Sequence, residues 1–88
     1  MTTETHEHRL KRLAMRSMRR GIKEMDIILV RYADAKLAGM SDAQLTEYDA
    51  LLSENDQDLY QWVSGQMPPK PQFEALIHDI CLLIGSAE

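Results

Sequence analysis

The stretch Ile22-Lys23-Glu24-Met25-Asp26-Ile27-Ile28-Leu29-Val30-Arg31-Tyr32-Ala33-Asp34-Ala35-Lys36-Leu37 decides the fold. Its apolar residues fall at 22, 25, 28, 29, 32, 33 and 37, the spacing of a helix that buries one face. Ile27 and Val30 widen that stripe, which predicts the most buried and central helix of the chain. The run Ile27-Ile28-Leu29-Val30 would suit a strand by propensity alone. The 3.6-residue pattern on both sides argues for a helix about 24 Å long at 1.5 Å per residue. Gly21 and Gly39 bound it.

Upstream, Leu10, Leu13, Ala14 and Met18 form one apolar stripe of a helix that begins near Glu7. Arg9, Arg12, Arg16 and Arg20 form a second stripe, within about 80° of one another at ~100° per residue. Gly21 then reads as the corner between two helices, with a left-handed cap. Downstream, Ser41 and Gln44 make a capping box for a third helix whose Leu45, Tyr48, Leu51 and Leu52 face inward. Asn55 or Asp56 caps a short fourth helix with Leu59, Trp62 and Val63 on its apolar side, ended by Gly65. After the stiff segment Met67-Pro68-Pro69-Lys70-Pro71 comes a fifth helix, from about Pro71 to Ile84. Its stripe is Phe73, Leu76, Ile77, Ile80, Cys81 and Ile84. The expected architecture is all-α: a compact five-helix bundle in a single domain spanning 1–88, with 1–6 frayed and a core at about 9–84.

Composition narrows the function classes. With 88 residues, 44% hydrophobic and 27% charged, the chain is one small globular domain with a modest core, too small to enclose a large active site. The single cysteine, Cys81, rules out an internal disulfide. The longest apolar run, Ile80-Cys81-Leu82-Leu83-Ile84, is far short of the ~20 residues that span a bilayer. No apolar segment follows the basic residues near the N-terminus, so no secretory signal is read and cytoplasm is the expected compartment, with no membrane association.

The net charge of −4 hides an asymmetry. Residues 1–24 carry Arg9, Lys11, Arg12, Arg16, Arg19, Arg20 and Lys23 against Glu4, Glu7 and Glu24, whereas the rest carries only Arg31, Lys36 and Lys70 against eleven acids. The basic stripe is either a solvated face or a patch that meets an anionic partner.

Catalytic and metal-binding constellations are absent. His6 and His8 point apart at i, i+2, and His78 with Cys81 is too small a set for a metal. Asp56-Gln57-Asp58 lacks the glycine and distal glutamate of a calcium loop. Cys81 lies on an apolar stripe with no cation near it in sequence, so it reads as inert. No phosphate loop, nucleophile elbow or zinc-protease motif occurs, and no nucleophile–base pair supports an enzyme. Met15, Met18 and Met25 gather around the glycine corner, either as core gap-fillers or as an adaptable contact surface.

That leaves Arg20-Gly21-Ile22-Lys23-Glu24. If helix ran through it, Arg20 and Glu24 would be i, i+4 neighbours worth only ~0.2–0.5 kcal/mol. A mid-helix glycine costs about 1 kcal/mol. Gly21 is therefore a turn, or small because something approaches the backbone there, or both. An exposed glycine between a guanidinium and a carboxylate makes a docking spot for another protein. Without further information the leading alternative is a small nucleic-acid-binding or regulatory protein using Arg9, Arg12 and Arg16. The acidic balance and the lack of a helix-turn-helix pattern argue against it.

At these residues the chain resembles the FAD assembly factor family of succinate dehydrogenase (SdhE and succinate dehydrogenase assembly factor 2). Arg20-Gly21-Ile22-Lys23-Glu24 is similar to its Arg-Gly-x-x-Glu signature. Residues 45–52 resemble its third helix, 55–62 its Asp-x-Asp-Leu-x-x-Trp segment, and 65–69 its Gly/Pro linker. The likeness covers about 9–84. It departs at Ile22, where many members have methionine, and in lacking the basic tail many relatives carry. The resemblance implies a non-catalytic, monomeric five-helix bundle that binds no cofactor stably and no nucleic acid. Its partner would be the flavoprotein subunit of succinate dehydrogenase, in some bacteria also that of fumarate reductase, which carries the FAD. The factor would promote covalent attachment of that FAD. Carried over, Arg20, Gly21 and Glu24 would lie at the contact, with Arg19, Lys23 and Asp26 as neighbours and Arg16 extending the basic stripe. Trp62 is expected to pack the bundle.

Overall fold

In a computed structural model describing residues 4–86, five α-helices follow one another: α1 His6–Arg16, α2 Lys23–Lys36, α3 Asp42–Leu52, α4 Asp56–Val63 and α5 Glu74–Ser86. Short 3₁₀ turns at Leu37–Gly39 and Pro71–Phe73 extend α2 and lead into α5. Among the described residues there are no strands, so the all-α five-helix expectation holds and residues 27–30 are helical.

Local chemistry sets the boundaries. Thr5 accepts the His8 N–H and starts α1. Ser41 and Gln44 form the reciprocal capping box of α3. Asn55 accepts the Gln57 N–H and starts α4. Gly65, with φ of 84°, takes the left-handed conformation that lets the chain leave α4. Of the segment 1–6 expected to fray, residues 1–3 lie outside the described residues. Thr5 is a helix cap and the Glu4 carboxylate is bound by Arg12 at 2.7 Å.

The core forms around α2, which packs on α1, α4 and α5. Met25, Leu29, Tyr32 and Ala33 of α2 are buried with Leu13 of α1, the inward residues of α3, and Leu59 and Trp62 of α4. Phe73 and three α5 residues, Leu76, Ile77 and Ile80, close it. Trp62 lies against Phe73 with ring centroids 6.1 Å apart, as a packing residue should. Ile27, in contrast, is 53% exposed, so the apolar stripe of α2 is narrower than its sequence suggests. The methionines divide: Met25 is wholly buried, whereas Met15 and Met18 face solvent.

Polar groups inside the core are paired. Ser17, fully buried, donates to the Leu13 carbonyl and shares a 2.6 Å hydrogen bond with the Tyr48 hydroxyl. Burial pushes the Tyr48 phenol up to about 12, so it stays protonated at any physiological pH. The Tyr32 hydroxyl donates to Asp79 at 2.7 Å. The Cys81 thiol is raised by burial and donates to the Val63 carbonyl, which fits an inert role.

The basic stripe of α1 is paired within the fold although it stays partly exposed. It lies along α3, whose Asp42, Thr46, Asp49 and Ser53 recur at the same helical spacing. Arg9 reaches Thr46, Arg12 reaches Glu4 and Asp49, and Arg16 reaches Asp49 and Ser53. The register rises together along both chains, so α1 and α3 run side by side in the same sense. Burial works to raise the Asp49 carboxyl, but Arg12 and Arg16 outweigh it and hold it below the ordinary value of 3.8. A depressed carboxylate contributes stability that is fully present above its unfolded pKa and is lost as pH falls through the folded one. Asp49→Asn is therefore expected to cost about 1–2 kcal/mol at pH 7, kept modest because the Arg12 and Arg16 side chains are 40% and 34% exposed and screened. Thermal unfolding should fall by roughly 5–10 °C at neutral pH. The gap should narrow as pH falls below the ordinary carboxylate value of 3.8 and close once the native Asp49 is itself protonated.

Candidate protein-docking site

The segment 17–22 between α1 and α2 is built from long-range bonds. α1 stops at Arg16 because the Ser17 hydroxyl turns back to Leu13 and Tyr48. Arg20 then folds inward. One of its nitrogens donates to the Arg16 carbonyl at 2.9 Å and another to the Leu52 carbonyl at 3.1 Å. These are the final residues of α1 and α3, where helix carbonyls lack partners and the dipole is negative. Its Nε donates to Asp56 Oδ1 at 2.7 Å, at the first residue of α4. One guanidinium thus ties three helix ends together, and its side chain is only 11% exposed.

The second Asp56 oxygen accepts the Gly21 N–H at 2.7 Å. A Cβ on Gly21 would sit 3.0 Å from that oxygen. Gly21 is therefore small because a carboxylate approaches its backbone. It is not the left-handed cap expected from the sequence. That conformation belongs to Arg19, with φ of 57°, whose N–H donates to Asp26 Oδ1 at 3.1 Å. A non-glycine residue held there stores about 1–2 kcal/mol of strain, which the surrounding bonds must hold.

The site residues named from sequence thus separate. Arg16 and Arg20 are turned into the fold and Asp26 braces the loop backbone. Arg19, Gly21, Lys23 and Glu24 are exposed. No Arg20–Glu24 pair forms, and the side chains of Arg19, Lys23 and Glu24 have no hydrogen-bond or ion-pair partner among the described residues. Lys23, Glu24 and Ile27 share one face of α2 by their i, i+3 and i, i+4 spacing. Shallow depressions flank the Gly21–Asp56 contact, one of them lined by Met18, Arg19 and Arg20. Asp56, which the sequence does not single out as a site residue, is the centre of the arrangement. Its signal was the Asn55-Asp56 pair: Asn55 suffices as the cap, so the adjacent acid was free for other work.

Arg9, Arg12 and Arg16, the residues a phosphate contact would use, are paired along α3. Among the described residues no group of three or more His, Cys, Asp or Glu side chains gathers as a metal would need. Among the described residues no helix is long and apolar enough to cross a membrane.

Fold and loop together define a small all-helical protein whose distinctive surface is a charged loop held in shape by long-range bonds. The chain belongs to the family described as the flavinator of succinate dehydrogenase, whose sequence model matches residues 11–83, from α1 through α5. It is 48% identical over 70 residues to succinate dehydrogenase assembly factor 2, mitochondrial, of Meyerozyma guilliermondii, covering 80% of this chain and 52% of that protein. The same-named protein of Debaryomyces hansenii is 43% identical over 70 residues, covering 80% of this chain and 49% of the relative. That of Aspergillus terreus is 47% identical over 57 residues, 65% of this chain and 19% of the relative. The chain thus matches about half, or less, of these curated relatives. Their names also overturn the cytoplasmic placement expected from sequence, because all three are mitochondrial factors. That placement rested on missing signals, and absences of this kind carry no address.

Proposed function

We propose that this chain is an assembly factor that binds the flavoprotein subunit of succinate dehydrogenase before the complex assembles and promotes covalent attachment of FAD to it. The observation that carries this is the loop 17–22. Bonds to α3 and α4 fix its shape, while the side chains of Arg19 in the loop and Glu24 at the start of α2 stay exposed and unpaired among the described residues. A pre-shaped polar loop is a low-entropy docking element. The description of the family and the names of the relatives support the choice of partner. The chain holds no FAD of its own and performs no bond-forming step. It holds the flavoprotein so that the acceptor histidine and the flavin are aligned, a proximity effect.

The test is in-gel flavin fluorescence of the flavoprotein subunit in cells lacking this protein. Fluorescence should be lost and should return when the wild-type chain is supplied. Full flavinylation without it would defeat the proposal, and a mobility shift with random DNA at physiological salt would favour the nucleic-acid alternative.

A further inference from the structure

The sequence offers two adjacent arginines, and only one of them is available. Arg20 has spent its guanidinium on Asp56 and on the last carbonyls of α1 and α3. For Arg20 to bind a partner carboxylate, it would have to leave three acceptors and expose the junction of three helices. Arg19 is the reverse. Its backbone is held in the left-handed region, a conformation that glycine or asparagine takes more readily. Its N–H is fixed by Asp26 and its side chain is exposed with no partner among the described residues. An arginine at a position whose backbone disfavours it needs a use for its side chain, and nothing within the described chain supplies one.

We propose that Arg19, with Glu24, reads the partner, and that Arg20 and Asp56 are positioning residues that act through the loop. This rests on the docking function proposed above and divides the labour within it. Asp56 is the hinge of the arrangement: Oδ1 takes Arg20 and Oδ2 takes the Gly21 N–H, so one carboxylate sets both the internal strut and the outward path of the backbone. The group on the partner that meets Arg19 is a carboxylate, the planar acceptor that matches a guanidinium fork, and the group that meets Glu24 is a cation or a hydrogen-bond donor.

The experiment titrates the full chain into the isolated flavoprotein subunit carrying non-covalent FAD, by calorimetry, and records the thermal midpoint of every variant. Arg19→Asn should hold or raise the midpoint, because asparagine tolerates the left-handed backbone, and yet weaken binding by roughly tenfold or more. A merely structural role for Arg19 cannot give those opposite signs. Arg20→Gln and Asp56→Ala should each lower the midpoint, shift the Gly21 amide resonance and weaken binding. The double variant should bind no more weakly than the worse single, because both residues act through one loop conformation. Asp56→Asn, which keeps an acceptor for the Gly21 N–H, should recover part of the affinity that Asp56→Ala loses. Undiminished binding by Arg19→Asn, or fully additive losses at Arg20 and Asp56, would overturn the division of roles alone. Failure of the unaltered chain to bind would overturn the docking function and this inference together.

Discussion

Gly21→Arg is expected to leave the helical circular dichroism of the chain nearly unchanged and to abolish covalent flavin on the partner subunit. The reason is geometric. Any Cβ at position 21 meets Asp56 Oδ2 at 3.0 Å, so the carboxylate must retreat from the hydrogen bond it makes with the same residue's N–H. A small side chain asks for a shift of a few tenths of an ångström. Arginine asks for more, because its own guanidinium can pair with Asp56 and compete with Arg20 for the same oxygens. Arg20 then loses the acceptor that held it across the ends of α1, α3 and α4. The cost to the fold is about 1–3 kcal/mol, the range for a partly buried polar group left unpaired, and the five hydrophobic stripes are untouched. The cost to docking is larger, because the loop no longer presents Arg19 and Glu24 in one fixed geometry. Affinity should fall by roughly a hundredfold, about 2.7 kcal/mol. Flavin fluorescence of the partner in a denaturing gel, read beside the far-ultraviolet spectrum of the purified variant, checks both halves. Normal fluorescence with Gly21→Arg as the only copy would remove the loop from the function.

Why the sequence marks one glycine as special but does not name what approaches it follows from the range of the interactions. The helices were legible because their signals are local. Ser41 and Gln44 are three residues apart and form the capping box as read. The stripes of α2, α3 and α5 repeat within a turn or two, and their central members are the buried residues. The end of α1 was not legible, because what stops it at Arg16 comes from Tyr48, 31 residues away, through Ser17. The close approach to the Gly21 backbone is one of the two readings its sequence allows, but the approaching group, a carboxylate 35 residues downstream, lies beyond the reach of local pattern, and the left-handed turn falls on Arg19 instead. The arginine stripe was recognised as a stripe, but its counterpart lies on α3, 33 to 37 residues on. Matching spacings, Arg9-Arg12-Arg16 on α1 and Thr46-Asp49-Ser53 along and just past α3, were present in the sequence. Reading them as partners needed the knowledge that α1 and α3 lie side by side.

Leu29→Ala and Ile27→Ala test the fold where it was decided, and their effects are expected to be opposite in kind. In a strand the two positions would share a face, because side chains alternate with period two. In α2 they stand about 200° apart, and Leu29 is wholly buried while Ile27 is 53% exposed. Leu29 sits at the middle of the helix that packs on α1, α4 and α5, so truncation leaves a cavity that no single neighbour can fill. Such cavities cost about 3–4 kcal/mol, transfer and lost packing together. A chain of this size holds only ~4–13 kcal/mol in all. Leu29→Ala should therefore lower the thermal midpoint by roughly 12–25 °C and leave a fraction of the protein unfolded at physiological temperature. Ile27→Ala should change stability by no more than about 0.5 kcal/mol, as at other exposed positions. Because Ile27 shares the outer face of α2 with Lys23 and Glu24, its truncation should instead weaken association with the flavoprotein, by a few-fold, with the fold intact. Loss of stability at position 29 and of binding at position 27, two residues apart in one apolar run, separates what that run does for the core from what it offers a partner. Equal destabilisation at both positions would mean that α2 is buried on both sides, and the docking face would have to lie elsewhere.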